Sequence, residues 1–203
     1  MGTLASEVDI CNMALGWIGA DRITSLDDDS TQANLCKLNY PRSRDAVLET
    51  RQWQFALRRE ELAPDPVPPA YYWGQRFQVP TDVLRVISVD QPASSGSDEL
   101  ISGIVHPEQI PWEIQGNYIL CNFEVISVLE IVRVTATASF SEGFTHALAA
   151  RLAADLSIPI TNSRTMQSDM WSLYQIKLDD AAATDGMQGR SQRIRSRYLM
   201  ARR

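Results

Sequence analysis

Val8, Cys11, Leu15 and Ile18 recur at helical spacing near the start of the chain, which predicts a helix over 6–15. Ser6 stands where a cap belongs, and Asp9 three residues on suits a capping box. Gly16 and Gly19 offer places to stop. A turn follows and ends in Asp27-Asp28-Asp29-Ser30. Asp29 or Ser30 caps a second helix that runs to about residue 51, because acids in a first turn suit the helix dipole. A metal loop is the sharper reading of the three aspartates, but the further carboxylates that calcium needs do not follow at its spacing. Ala33, Cys36, Tyr40 and Val47 form a rough apolar stripe. Pro41 lies inside it and predicts a kink or break near Tyr40. Trp53, Phe55, Ala56 and Leu57 end this helical region with bulky apolar side chains.

The pattern then changes. Residues 62–69 hold Pro64, Pro66, Pro68 and Pro69, too many for a helix interior or a central strand. Beyond them, 77–90 is rich in Val and Ile, with Pro80 near its start. Residues 112–120 carry Gly116-Asn117 between two apolar arms, a hairpin signal. Residues 129–137 alternate as half-buried strands do. A Ser- and Gly-containing loop is expected over 92–103.

Helical spacing returns after Ser139. Leu148, Ala149, Leu152, Ala153 and Leu156 make an alanine-rich stripe that permits close helix packing, with Pro159 as its end. Met166, Met170, Leu173, Tyr174, Leu178 and Ala181 form the stripe of a longer helix. That helix is expected to be capped near Thr161 or Ser163 and closed by Gly186. The plain reading of its methionines is core, although methionine stripes also serve as adaptable binding faces. The expected fold is α+β, mainly α: a helical bundle with an inserted small antiparallel β module of four or five strands and an extended C-terminal tail. The segments are N-terminal helices over 1–62, a proline-rich linker over 63–69, the β module over 70–138, C-terminal helices over 139–185 and a basic docking tail over 186–203.

Composition adds little until charge is mapped. The chain has 203 residues, 44% hydrophobic and 22% charged, an ordinary globular balance. No apolar run approaches a membrane span, and the first residues show no signal-peptide pattern. A soluble protein made in the cytoplasm is the expectation. The net charge of -6 is unevenly placed. Six of the 19 basic residues, Arg190, Arg193, Arg195, Arg197, Arg202 and Arg203, fall in 186–203 with no acid among them. The remaining 185 residues carry 13 basic and 25 acidic side chains, or -12. An acidic body with a basic tail marks a binding surface.

Catalytic and metal signatures are sparse. Cys11, Cys36 and Cys121 form no CxxC pair and read as small core residues. His106 precedes a proline, and His146 falls opposite the apolar stripe of its helix. Neither has a second ligand at metal spacing. The chain has no GxSxG, GxGxxG or GxxxxGK[ST]. No enzyme, cofactor or metal is expected. The tail admits three readings: a solvated end, nonspecific nucleic-acid contact through arginine neutralising phosphate, or docking on a protein. Ile194, Tyr198, Leu199 and Met200 are interleaved with the arginines, and Tyr and Arg are favoured interface anchors.

An ordered set of residues then carries a resemblance. Met13-Ala14-Leu15-Gly16-Trp17-Ile18-Gly19 is followed by Arg22-Ile23-Thr24-Ser25-Leu26-Asp27-Asp28. Tyr40-Pro41-Arg42-Ser43-Arg44-Asp45-Ala46-Val47-Leu48 and Trp53-Gln54-Phe55-Ala56 come next. Val79-Pro80-Thr81-Asp82-Val83-Leu84-Arg85-Val86, Phe144, Leu148-Ala149-Ala150-Arg151-Leu152-Ala153 and Tyr174 complete the set. It resembles the tail tubular protein A family, the head-to-tail adaptors of podovirus-like phages and related particles.

The resemblance implies a noncatalytic ring, commonly of twelve copies, at the head-tail junction of a virion assembled in a bacterial host. It implies three protein partners: the portal protein, adjacent copies in the ring, and a distal tail nozzle or tube protein. It further implies that DNA passes transiently through the lumen without sequence-specific contact. The C-terminal segment reaches onto the portal in that family, which makes Arg190, Arg193, Ile194, Arg195, Arg197, Tyr198, Leu199, Arg202 and Arg203 the expected docking residues. The competing expectation is a DNA-binding accessory module that uses the same arginines.

Overall fold

A computed structural model describes residues 5–90 and 110–188, the last four by backbone alone. The fold is α+β and mainly α, with four α-helices and two small antiparallel sheets among the described residues. Helix α1 spans Glu7–Trp17 and α2 spans Thr31–Thr50. The strands β1 (Leu57–Leu62), β2 (Gln75–Gln78), β3 (Val83–Asp90), β4 (Glu113–Gln115), β5 (Tyr118–Cys121) and β6 (Ile126–Val132) follow. Helices α3 (Glu142–Thr161) and α4 (Arg164–Gln188) complete the order.

Local chemistry sets the helix ends. The Ser6 hydroxyl accepts the Asp9 amide at 3.1 Å while the Asp9 carboxylate accepts the Ser6 amide at 2.9 Å. This is a reciprocal capping box. At the other end Ala20 N–H donates to the Leu15 carbonyl at 2.9 Å and Gly19 N–H to the Gly16 carbonyl at 3.3 Å. That pair of bonds is a Schellman motif, and it needs the positive φ of +72° that Gly19 supplies without steric cost. Ser30 and Ser163 cap α2 and α4 through bonds from the Ala33 and Met166 amides. The Asp27-Asp28-Asp29 run does different work. Asp28 accepts the amides of Thr24 and Ser25 at 2.8 and 2.9 Å and closes the turn before α2.

Three sequence expectations about breaks are corrected. Pro41 does not break α2, which runs unbroken through it. The buried Tyr40, Val47 and Leu48 on either side hold the helix where propensity alone opposes it. Pro159 does not end α3, which continues to Thr161 and stops at Asn162 in the left-handed region, φ +52°. Gly186 does not close α4, which extends to Gln188. The N-terminal helical run also ends earlier than residue 62, because Leu57–Leu62 is a strand.

Helix α3 is the hub: α1, α2 and α4 all pack on it. Its buried face is mostly alanine and leucine, including Ala147, Leu148, Leu152 and Ala153. Small side chains let a neighbour approach, and a Cβ on Gly143 would lie 2.9 Å from the Ala181 Cβ of α4. Burying this much aliphatic surface supplies the main stabilisation, about 25 cal/mol per Å² removed from water.

One sheet has the order β1-β6-β3 and the other β2-β5-β4. Strand β6 serves both cores, since successive side chains of a strand face opposite sides. Ile131 joins the helical core, whereas Ile126 and Val128 join a second core with Phe77, Val89, Ile119 and Cys121. The expected hairpin is present as β4–β5, with Gly116 at φ +60° in its two-residue turn. The chain leaves the helices after Ala56 and returns after β6. Both crossings meet in one aromatic cluster: Trp53 and Phe55 each pack edge-on against Phe144 at 5.1 Å, and Phe140 lies 4.7 Å from the same ring.

Candidate functional site

The nine expected docking residues, Arg190, Arg193, Ile194, Arg195, Arg197, Tyr198, Leu199, Arg202 and Arg203, lie outside the described residues, as does His106. The three cysteines are buried and unbridged. Cys11 of α1 and Cys36 of α2 share a thiol hydrogen bond, which together with burial pushes the Cys11 thiol well above its ordinary range. His146 stacks on Trp17 at 6.4 Å and pairs with Glu142 at 3.3 Å. Among the described residues, no group of three or more His, Cys, Asp or Glu is placed to hold a metal ion.

Two constellations stand out instead. The first is a chain of charges on the β1-β6-β3 sheet that reaches α2 at its far end. Arg58 of β1 donates from Nε to Glu130 Oε1 of β6 at 2.6 Å and from Nη1 to Asp82 Oδ2 at 2.6 Å. Glu60 stands 3.2 Å from Nη2. The Arg58 bonds hold the Asp82 carboxyl below its ordinary range. Burial pushes the Glu130 carboxyl up, against the opposing pull of Arg58. The chain of contacts continues toward α2. Arg133 N–H donates to the Asp82 carbonyl at 2.7 Å, and the Arg133 Nε donates to Asp45 Oδ2 of α2 at 2.8 Å. Asp45 Oδ1 also accepts two bonds from Arg44, at 2.8 and 2.9 Å. Of these charge-assisted bonds, the one between Arg133 and Asp45 ties the end of β6 to α2.

The second lies on the β2-β5-β4 sheet. The stretch from Pro69 to Trp73, with Glu113, Gln115 and Leu120 of the β4–β5 hairpin, lines a cavity of about 350 Å³. Trp73 Nε1 donates to Glu113 Oε2 at 3.1 Å, and Gly74 N–H donates to Asn122 Oδ1 at 2.7 Å. Between them Trp73 N–H donates to the Tyr71 carbonyl at 2.9 Å, which closes a γ-turn about Tyr72 at φ +71°. That form of the turn is rare and strained. An L-residue there costs about 1–2 kcal/mol. The turn leaves Tyr71 and Tyr72 with 84% and 81% of their surface in solvent, so the strain is not offset by burial of their rings.

Neither constellation was singled out from the sequence. Tyr71-Tyr72-Trp73 directly after the proline run was the available signal for the second. Nothing in the local sequence joins Arg58 to Glu130, 72 residues apart. No protein-family model matches the chain, and no match was found among curated proteins. No helix among the described residues is long and apolar enough to cross a membrane.

Proposed function

We propose that the chain is a noncatalytic structural adaptor at the head-tail junction of a phage or phage-like particle. Copies assemble in a ring between the portal and the distal tail component, and DNA passes through. The helical bundles pack side by side, the tails over 186–203 clamp the portal, and the β modules meet the distal component. The observation that carries this reading is the segregation of charge, six arginines and no acid in the tail against 13 basic and 25 acidic residues before it. An acidic wall repels phosphates and lets a duplex slide, while the basic tail seeks an acidic partner surface. The resemblance of its ordered motifs to those of tail tubular protein A adaptors supports it. So does the bond from Arg133 at the end of β6 to Asp45 of α2, since a mechanical coupler needs its β module held at a fixed angle.

The test is deletion of residues 186–203. The truncated protein is expected to stay folded and to lose attachment to the portal in co-sedimentation and in electron micrographs; unchanged attachment overturns the clamp. The arginines also favour a second reading, a nonspecific DNA-binding accessory module. Titration of the full chain with duplex DNA at physiological salt separates the two. Tight binding supports the module, and its absence supports the adaptor.

A further inference from the structure

We propose that the cavity beside Tyr72 is a receptor for a guanidinium group, an arginine side chain presented by a protein partner. Its volume of about 350 Å³ lies at the small end of the range for ligand pockets, roughly 300–1,000 Å³. That suits one long side chain better than a whole peptide. The lining offers the ring systems of Tyr71, Tyr72 and Trp73, the carboxylate of Glu113 and the amide of Gln115, and no base. Aromatic faces attract cations through their quadrupole, and a carboxylate beside them selects positive charge.

Trp73 Nε1 holds Glu113 Oε2, and no other bond to Glu113 is made among the described residues, so Oε1 remains as an acceptor. A planar guanidinium fits this arrangement better than an ammonium, because it stacks on one ring while donating to an oxygen at the edge. Two arginines of the protein make that kind of contact internally. The Arg76 guanidinium sits 4.6 Å over Tyr118, and that of Arg151 sits 4.5 Å over Trp171. Arg76 is further paired with Asp65 at 3.2 Å, so it is not available to fill the cavity. The strained turn gives the last argument. It leaves Tyr72 exposed, with an edge-on ring contact to Trp73 at 5.2 Å, and strain kept at an exposed position points to function. The identification of the partner as the distal tail component rests on the adaptor reading; the chemistry of the cavity does not.

The experiment titrates the full chain with the blocked peptide acetyl-Gly-Arg-Gly-amide and follows the indole N–H resonance of Trp73, assigned through Trp73→Phe. Parallel titrations use the citrulline peptide, the lysine peptide and methyl glucoside. Saturable shifts at Trp73 with the arginine peptide, weaker ones with lysine and none with citrulline are expected. Glu113→Gln should weaken the arginine peptide by about threefold, and Tyr72→Gly should remove its effect without lowering the unfolding midpoint. Equal response to citrulline or to the glucoside overturns the proposal, as does no response to arginine or no change in Glu113→Gln. Failure here leaves portal attachment untouched, and failure of the tail deletion leaves this titration untouched, so the two readings fall separately.

Discussion

Arg58 and Glu130 stand directly opposite each other on β1 and β6, bonded at 2.6 Å, with the second Glu130 oxygen buried and without a partner among the described residues. Glu130 is 0% exposed, whereas a third of the Arg58 side chain meets solvent. Arg58→Ala therefore strands a buried carboxylate. The expected loss is roughly 2–3 kcal/mol in urea unfolding, less than for a fully buried pair because Arg58 is partly solvated. Replacing both partners, Arg58→Met with Glu130→Leu, should recover most of it. A single variant as stable as the parent would show that the pair carries no weight.

The same cluster predicts two opposite pH dependences. Asp82 is held below its ordinary value of 3.8 by Arg58. Unfolded Asp82 therefore binds its proton at a higher pH than folded Asp82. Its contribution is complete above 3.8 and is lost as pH falls through the folded value. Glu130 is raised above its ordinary 4.5, so its contribution is complete below 4.5 and is lost as pH rises through the folded value. Denaturation midpoints measured against pH should fall less steeply on the acid side in Asp82→Asn. In Glu130→Gln the decline above 4.5 should flatten.

Gly143→Ala tests the closeness of α3 and α4. The added methyl meets the Ala181 Cβ at 2.9 Å and its Cα at 3.1 Å, and a backbone atom cannot rotate aside. Overpacking of this kind costs about 1–3 kcal/mol, more than the helix propensity gained. Calorimetry should show a lower melting temperature, and Ala181→Gly in the same chain should restore part of it.

Tyr72→Gly runs against the usual direction of mutation. Glycine accepts φ +71° without the clash that Tyr72 bears, and the ring removed is exposed. The variant should match or slightly exceed the parent in stability, by up to about 1 kcal/mol. A marked loss of stability would mean that Tyr72 serves the fold and not a surface role.

The parts of this fold that were legible in the sequence are those set by near neighbours. Ser6 and Asp9 announce a capping box, Gly19 a helix stop and Gly116 a tight hairpin turn, because each bond closes within a few residues. The alanine-rich face of α3 was equally plain. Leu57–Leu62 was not. Its central Arg-Arg-Glu-Glu run carries no alternating pattern, and it becomes a strand only because β6 supplies a ladder from Ile126 to Ile131. Pro41 and Pro159 misled for a related reason, since each removes one helical bond while burial of the surrounding side chains holds the helix.

The sequence by itself determined the helical stripes, the proline-rich divide, the acidic body and the basic tail, because composition and short-range periodicity need no partner to be read. Tertiary structure alone decided that β6 is shared by two cores, that Arg58 reaches Glu130 and Asp82, and that three aromatic rings and one carboxylate come to line a single cavity. Those relationships join residues far apart in the chain, and only packing brings them within bonding distance.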